Sequence, residues 1–193
     1  IYDIDEAIDR VLMGPAKRSK KYSEREKMIV SYHEAGHAVL GVKLDNAEIV
    51  QKVTIVPRGQ AGGYSMMTPE EERFLHTKQS LLDTITGLLG GRIAEELMTN
   101  DITTGGHNDF QKATLIARSM VTEYGMSELG PIQYERGSQN VFLGRDYMTD
   151  KNFSDQVALE IDHAVRQIIN ECYETGKRVL TENKDSLIAI AEH

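Results

Sequence analysis

Two histidines four residues apart, His33 and His37, with Glu34 directly after the first, lie in the middle of a stretch that reads as one long helix. Ser23 and Glu26 form a capping box at its start, and Met28, Ile29, Tyr32, Gly36, Val39 and Leu40 follow at helical spacing. Residues four apart share one helix face with Cβ atoms about 5–6 Å apart, so the two imidazoles can converge on one zinc ion. Ala35 and Gly36 between them are small enough to let a substrate or a neighbouring strand come close. The rest of the chain is expected to be arranged around this helix.

Zinc lowers the pKa of a bound water toward about 7. A carboxylate beside such a water, here Glu34, can take its proton, direct it at a peptide carbonyl and later protonate the leaving amine. The competing reading makes His33 and His37 plain helix-face histidines and Glu34 a solvated charge. The mid-helix setting favours the active site. A catalytic zinc needs a third protein ligand and an open fourth position. His76, His107, Glu95, Glu96, Asp101 and Asp109 all qualify by residue type, and spacing does not choose among them.

The remaining pattern is mainly α-helical, with one small β-hairpin beside the histidine helix. Residues 3–13 predict a short helix ended by Gly14-Pro15, and residues 16–22 a basic linker. Ile49 to Val56 predicts a strand, with Gly62 to Met67 as its antiparallel return. Thr68-Pro69-Glu70-Glu71-Glu72 has the features of a helix start. A longer helix is expected from about Lys78 to Met98, with a buried stripe of Leu81, Leu82, Ile85, Leu88, Leu89, Ile93 and Leu97. Gly87, Gly90 and Gly91 within it suggest close packing of another backbone. Further helices are expected at about 108–124, 154–175 and 177–192, with 126–153 irregular.

No apolar run in the 193 residues approaches bilayer-spanning length. The net charge of -8 disfavours nucleic acid as a ligand. Cys172 is the lone cysteine, so no disulfide framework is possible, and its helical position suits a small buried hydrophobe. The opening at Ile1, without Met or a leader-like segment, reads as a piece of a longer polypeptide.

Five segments occur in order: His33 to His37, Val56-Pro57-Arg58-Gly59, Gly90-Gly91-Arg92-Ile93-Ala94-Glu95-Glu96, Thr104-Gly105-Gly106-His107-Asn108-Asp109, and Gly125-Met126-Ser127-Glu128-Leu129-Gly130-Pro131. Together they resemble the peptidase domain of the FtsH family of ATP-dependent, membrane-anchored AAA proteases, over nearly the whole chain. The resemblance implies a helical zinc-metalloprotease domain at residues 23–193. Residues 1–22 would then be a connector from an upstream ATPase module. It implies one zinc held by His33, His37 and Asp109, with Glu34 as general base and Glu95 orienting a ligand histidine. Glu96 and His107 are expected to be a surface acid and a loop residue. Val53, Thr54, Ile55, Gly62 and Gly63 would form an edge on which an extended, unfolded polypeptide adds as another strand.

No Gly-x-x-x-x-Gly-Lys-[Ser/Thr] loop occurs, so ATP and Mg²⁺ would belong to the upstream module alone. The resemblance also implies a homo-hexamer. Attachment to a membrane would run through upstream segments, with this domain on the cytoplasmic side of a bacterial cell membrane or in an organelle. Two alternatives remain at this stage: a stand-alone peptidase of another lineage with Glu95 as third ligand, and a non-catalytic oligomerisation module holding a structural metal.

Overall fold

The computed structural model describes residues 2–16, 22–47, 49–58, 62–68, 74–135 and 153–193. Among them are six helices and one two-stranded sheet: α1 Tyr2–Met13, α2 Glu24–Lys43, β1 Ile49–Thr54, β2 Tyr64–Thr68, α3 Lys78–Thr99, α4 His107–Thr122, α5 Asp155–Glu182 and α6 Lys184–Glu192. The expected fold class, mainly α with a hairpin beside the histidine helix, is the one observed. The basic cluster Lys17–Lys21, the proposed helix start at 69–72 and positions 136–152 of the irregular stretch lie outside the described residues.

α2 begins as its capping box dictates. Ser23 Oγ accepts the Glu26 amide at 3.2 Å, while Glu26 Oε2 accepts the Ser23 amide at 2.9 Å. The helix then runs through the centre of the domain, so that residues 33–40 are all buried. α3 starts at Thr77, whose hydroxyl accepts the Ser80 amide, and packs along α2.

The two helices meet backbone to backbone. A Cβ on Gly36 would come within 2.3 Å of the Gly90 carbonyl oxygen, and one on Gly90 within 2.9 Å of the Gly36 oxygen. Any side chain at either position would wedge the crossing open. Gly87 does not share this role, because a Cβ there would meet open space. Leu40, Ile85, Leu89, Ile93, Met120, Ile161, Leu180 and Leu187 are fully buried around the crossing, drawn from α2 to α6. Each such side chain contributes about 1.5–3 kcal/mol on leaving water.

α5 departs from expectation. It passes through Gly176 as one helix of 28 residues, where the sequence suggests two. Gly176 is there for proximity, since a Cβ would stand 2.7 Å from Ile93 Cδ1 on α3. β1 is also shorter than expected and ends at Thr54, leaving Ile55 and Val56 in the connection. Thr68 closes β2 and its hydroxyl accepts from Gln51. Cys172 is buried as expected, and burial pushes its thiol up to about 11.

β1 and β2 pair antiparallel, with Val53 opposite Ser65 and Thr54 opposite Tyr64. The hairpin lies between α1 and α2. On the α1 side, buried Arg58 pairs with Glu6 at 2.6 Å and Asp9 at 3.3 Å, and Lys52 reaches Asp9 at 2.7 Å. On the α2 side, the Tyr22 hydroxyl donates to the Gly62 carbonyl at 2.6 Å.

Candidate metal centre and its carboxylates

His33 and His37 project from α2 toward α3, where each Nδ1 finds an acceptor. His33 Nδ1 lies 2.8 Å from Glu95 Oε1, and His37 Nδ1 lies 2.8 Å from the Gly87 carbonyl oxygen. A carbonyl only accepts, so His37 carries its proton on Nδ1 and leaves Nε2 as a lone pair. With a metal bound, the same holds for His33 facing an ionised Glu95. The two Nε2 atoms stand 3.1 Å apart. Asp109, in the first turn of α4, brings Oδ2 to 3.5 Å from one and 3.6 Å from the other.

Three lone-pair atoms aimed at one another repel unless a cation lies among them. Bonds of about 2.0–2.1 Å in a tetrahedral site set ligand atoms about 3.3–3.4 Å apart, and the observed separations bracket that edge. Among the described residues, His33, His37 and Asp109 are the group of His, Cys, Asp or Glu side chains close enough to hold a metal ion. The donor set of two imidazoles and one carboxylate suits zinc and leaves room for a fourth ligand.

In the metal-free protein a proton partly fills this role. Burial disfavours the His33 imidazolium, but the carboxylates of Asp109 and Glu95 outweigh it and lift His33 to about 9. Burial alone would raise Asp109, and the two imidazoles instead hold it far below the usual carboxylate range. Glu34 behaves oppositely. Burial pushes its pKa up, with the imidazoles of His37 and His33 and the Ser65 hydroxyl acting against the rise.

A family model described as peptidase family M41 matches residues 20–193. The chain belongs to peptidase family M41. It is 65% identical over 191 residues to the ATP-dependent zinc metalloprotease FtsH of Acholeplasma laidlawii, an alignment covering 99% of this chain and 30% of that protein. The Bacillus subtilis protein of the same name is 60% identical, over 98% of this chain and 30% of its own length. FtsH 1 of a Thermoanaerobacter strain is 51% identical, over 98% and 31% respectively. The M41 chain thus spans about a third or less of the curated relatives it matches.

The structure sorts the other candidates by position. Glu95 is 1% exposed and sits on the Nδ1 edge of His33, the opposite ring edge from Asp109. It also accepts the Thr103 amide at 2.7 Å and the Thr103 hydroxyl at 3.1 Å. Burial would raise its pKa; the bonds from His33 and Thr103 more than offset this and hold it below the ordinary range.

His76 and His107 are exposed, and Asp101 pairs with Arg25 at 3.0 Å. Glu96 is half-buried, held by the Tyr173 hydroxyl and by Lys177 at 2.9 Å. Val53 and Thr54 lie in β1, Ile55 just beyond it, and Gly62 and Gly63 immediately before β2.

Several neighbours of the site had no role there assigned from the sequence of this M41 chain. Gly91 has no room for a side chain, since a Cβ would fall 2.4 Å from His33 Nε2. Arg92 donates to the Thr103 carbonyl at 2.7 Å and stacks 4.8 Å over the ring of Phe110, gripping the α4 entry on both sides of Asp109. Ser65 donates to Glu34 Oε2 at 2.8 Å. Strand alternation is the clue that was available for Ser65, because Gly63 and Ser65 fall on one face and both lie against Glu34.

Proposed function

We propose that this M41 chain is the zinc endopeptidase unit of a longer ATP-driven, membrane-anchored protease that degrades unfolded membrane and cytosolic proteins. The observation that carries the reading is the convergence of His33 Nε2, His37 Nε2 and Asp109 Oδ2 beside the buried carboxylate of Glu34. His33, His37 and Asp109 hold one zinc. When bound, zinc acidifies a water and polarises the scissile carbonyl.

Glu34 receives the water's proton and returns it to the departing amine, a role aided by burial that raises its affinity for a proton. Glu95 and the Gly87 carbonyl hold each histidine in the tautomer that presents Nε2. The hairpin, through Val53, Thr54, Ile55, Gly62 and Gly63, offers backbone groups to an extended substrate, which suits a protease that reads no particular side chain.

The relatives are ATP-dependent by name and more than three times as long as this chain, which supports an ATPase module outside it; a membrane anchor upstream is part of the same reading. No described helix is long and apolar enough to cross a membrane. Residues 1–22 serve as the connector, with ATP and Mg²⁺ confined to the upstream module. The assembly is a homo-hexamer with this domain on the cytoplasmic side of a bacterial membrane.

The test is casein degradation by the full-length protein with ATP, wild type against Glu34→Gln, with zinc measured in both. The variant is expected to keep its zinc and lose at least about a hundredfold in turnover. Degradation at the wild-type rate would leave Glu34 without a chemical task and the proposal without its mechanism.

A further inference from the structure

Glu34 needs more than proximity to act as a base. The terminal torsion of a glutamate is broad and roughly two-fold, so an unrestrained carboxylate samples many lone-pair directions. In this site both oxygens meet the hairpin. Ser65 Oγ lies 2.8 Å from Oε2 and 3.3 Å from the Glu34 backbone carbonyl. A hydroxyl has one proton, and the shorter, charge-assisted bond to the carboxylate takes it. The other oxygen rests against bare backbone, where a Cβ on Gly63 would come within 2.9 Å of Oε1. Among the described residues no other side chain hydrogen-bonds this carboxylate.

The shelf is itself held in place. Ser65 is paired across the sheet with Val53, and the turn end of the hairpin is pinned by the Tyr22 hydroxyl on Gly62. A side chain fixed to a paired strand is a better restraint than one on a free loop.

We propose that Ser65 is a positioning residue that sets the orientation of the Glu34 carboxylate from the hairpin. The inference rests on the zinc-peptidase reading above. A hydroxyl proton shared with a carboxylate weakens it as a base, so its electronic effect alone opposes catalysis. Removing the hydroxyl therefore speeds the reaction if electronics dominate and slows it if orientation dominates. The geometry assigns the second: with Gly63 offering only clearance, loss of the bond frees the carboxylate to rotate.

The test is steady-state cleavage of a short unstructured fluorogenic peptide by the full-length, zinc-loaded protein. Ser65→Ala, Ser65→Val and Ser65→Thr are compared with wild type and with Glu34→Gln. The alanine and valine variants are expected to lose at least about tenfold in kcat, with KM within about twofold of wild type and zinc content unchanged. Threonine, which keeps the hydroxyl, is expected to restore kcat to within about threefold.

A wild-type kcat in Ser65→Ala overturns the proposal. So does a threonine variant as slow as valine, which would assign Ser65 to packing, or a loss of zinc, which would assign it to the metal. An active Glu34→Gln variant refutes the underlying peptidase reading, so the two failures are distinguishable.

Discussion

Gly87 and Gly91 are one helical turn apart on α3, and the same substitution at each is expected to act in opposite directions. A Cβ at Gly91 would stand 2.4 Å from both Cε1 and Nε2 of His33 and 2.6 Å from Cδ2. Carbon contacts settle at about 3.5–4.0 Å, so the ring must retreat by about 1 Å. It has nowhere to go, since Glu95 holds one edge at 2.8 Å and the His37 ring stands 3.1 Å from the other. Metal sites tolerate ligand displacements of about 0.2 Å. Gly91→Ala is therefore expected to weaken zinc binding at least about a hundredfold, equivalent to about 2.7 kcal/mol.

In the metal-free chain, overpacking of about 1–3 kcal/mol is set against about 1 kcal/mol gained from helix propensity, leaving the variant about 0–2 kcal/mol less stable. A Cβ at Gly87 meets nothing within 4 Å, and its carbonyl still accepts from His37. Gly87→Ala is expected to keep zinc affinity and to gain up to about 1 kcal/mol, or about 2–4 °C in Tm. Competition with a chromophoric chelator reads the affinity, and thermal unfolding with and without chelator reads the stability. A Gly91→Ala protein that binds zinc within about threefold of wild type would refute the claim that the crossing fixes His33.

Two further outcomes follow from the groups around His33. Glu95 accepts from His33 Nδ1 and twice from Thr103, so Glu95→Gln places an amide NH₂ against a donor. Zinc affinity is expected to fall about 10–100-fold by chelator competition, and an unchanged value would show that the carboxylate does not orient the ring. His33 is raised to about 9 without metal, so it is protonated at neutral pH, and zinc must displace that proton. Apparent affinity is then expected to rise about tenfold per pH unit toward about 9 and to level off above it. Calorimetry at pH 7 in buffers of different ionisation enthalpy should show about one proton released from His33, and a buffer-independent heat would contradict the raised pKa.

Local patterns were legible in the sequence because their physics is local. The capping box at Ser23 and Glu26 and the helices α2 and α3 depend on residues within a few turns of one another, whereas only Ile85, Leu89 and Ile93 of the expected α3 stripe are buried and Met28 of α2 is exposed. What failed to show was what crosses between elements. Gly176 has the look of a helix stop, yet its purpose is to admit Ile93 from another helix. The third member of the cluster lies on α4, 72 residues beyond His37, and spacing left six candidates; only the resemblance singled out Asp109. Arg58 sits in one of the five ordered segments, but its burial between Glu6 and Asp9 depends on α1 folding back over the hairpin.

α3 contributes no atom to the cluster of His33, His37 and Asp109, yet it touches both histidines and the residues flanking Asp109. It meets α2 at Gly36 and Gly90, leaves space for His33 at Gly91, anchors the histidines through Glu95 and the Gly87 carbonyl, and holds the α4 entry through Arg92 and Thr103. The hairpin touches a different member of the site, the Glu34 carboxylate, through Ser65 and Gly63. Substitutions along this face of α3 should therefore be felt first as lost zinc. Substitutions at the hairpin end should be felt as slower turnover with zinc in place. The two behaviours separate because α2 presents its two histidines to one neighbour and the Glu34 carboxylate to another, and each neighbour restrains only what it touches.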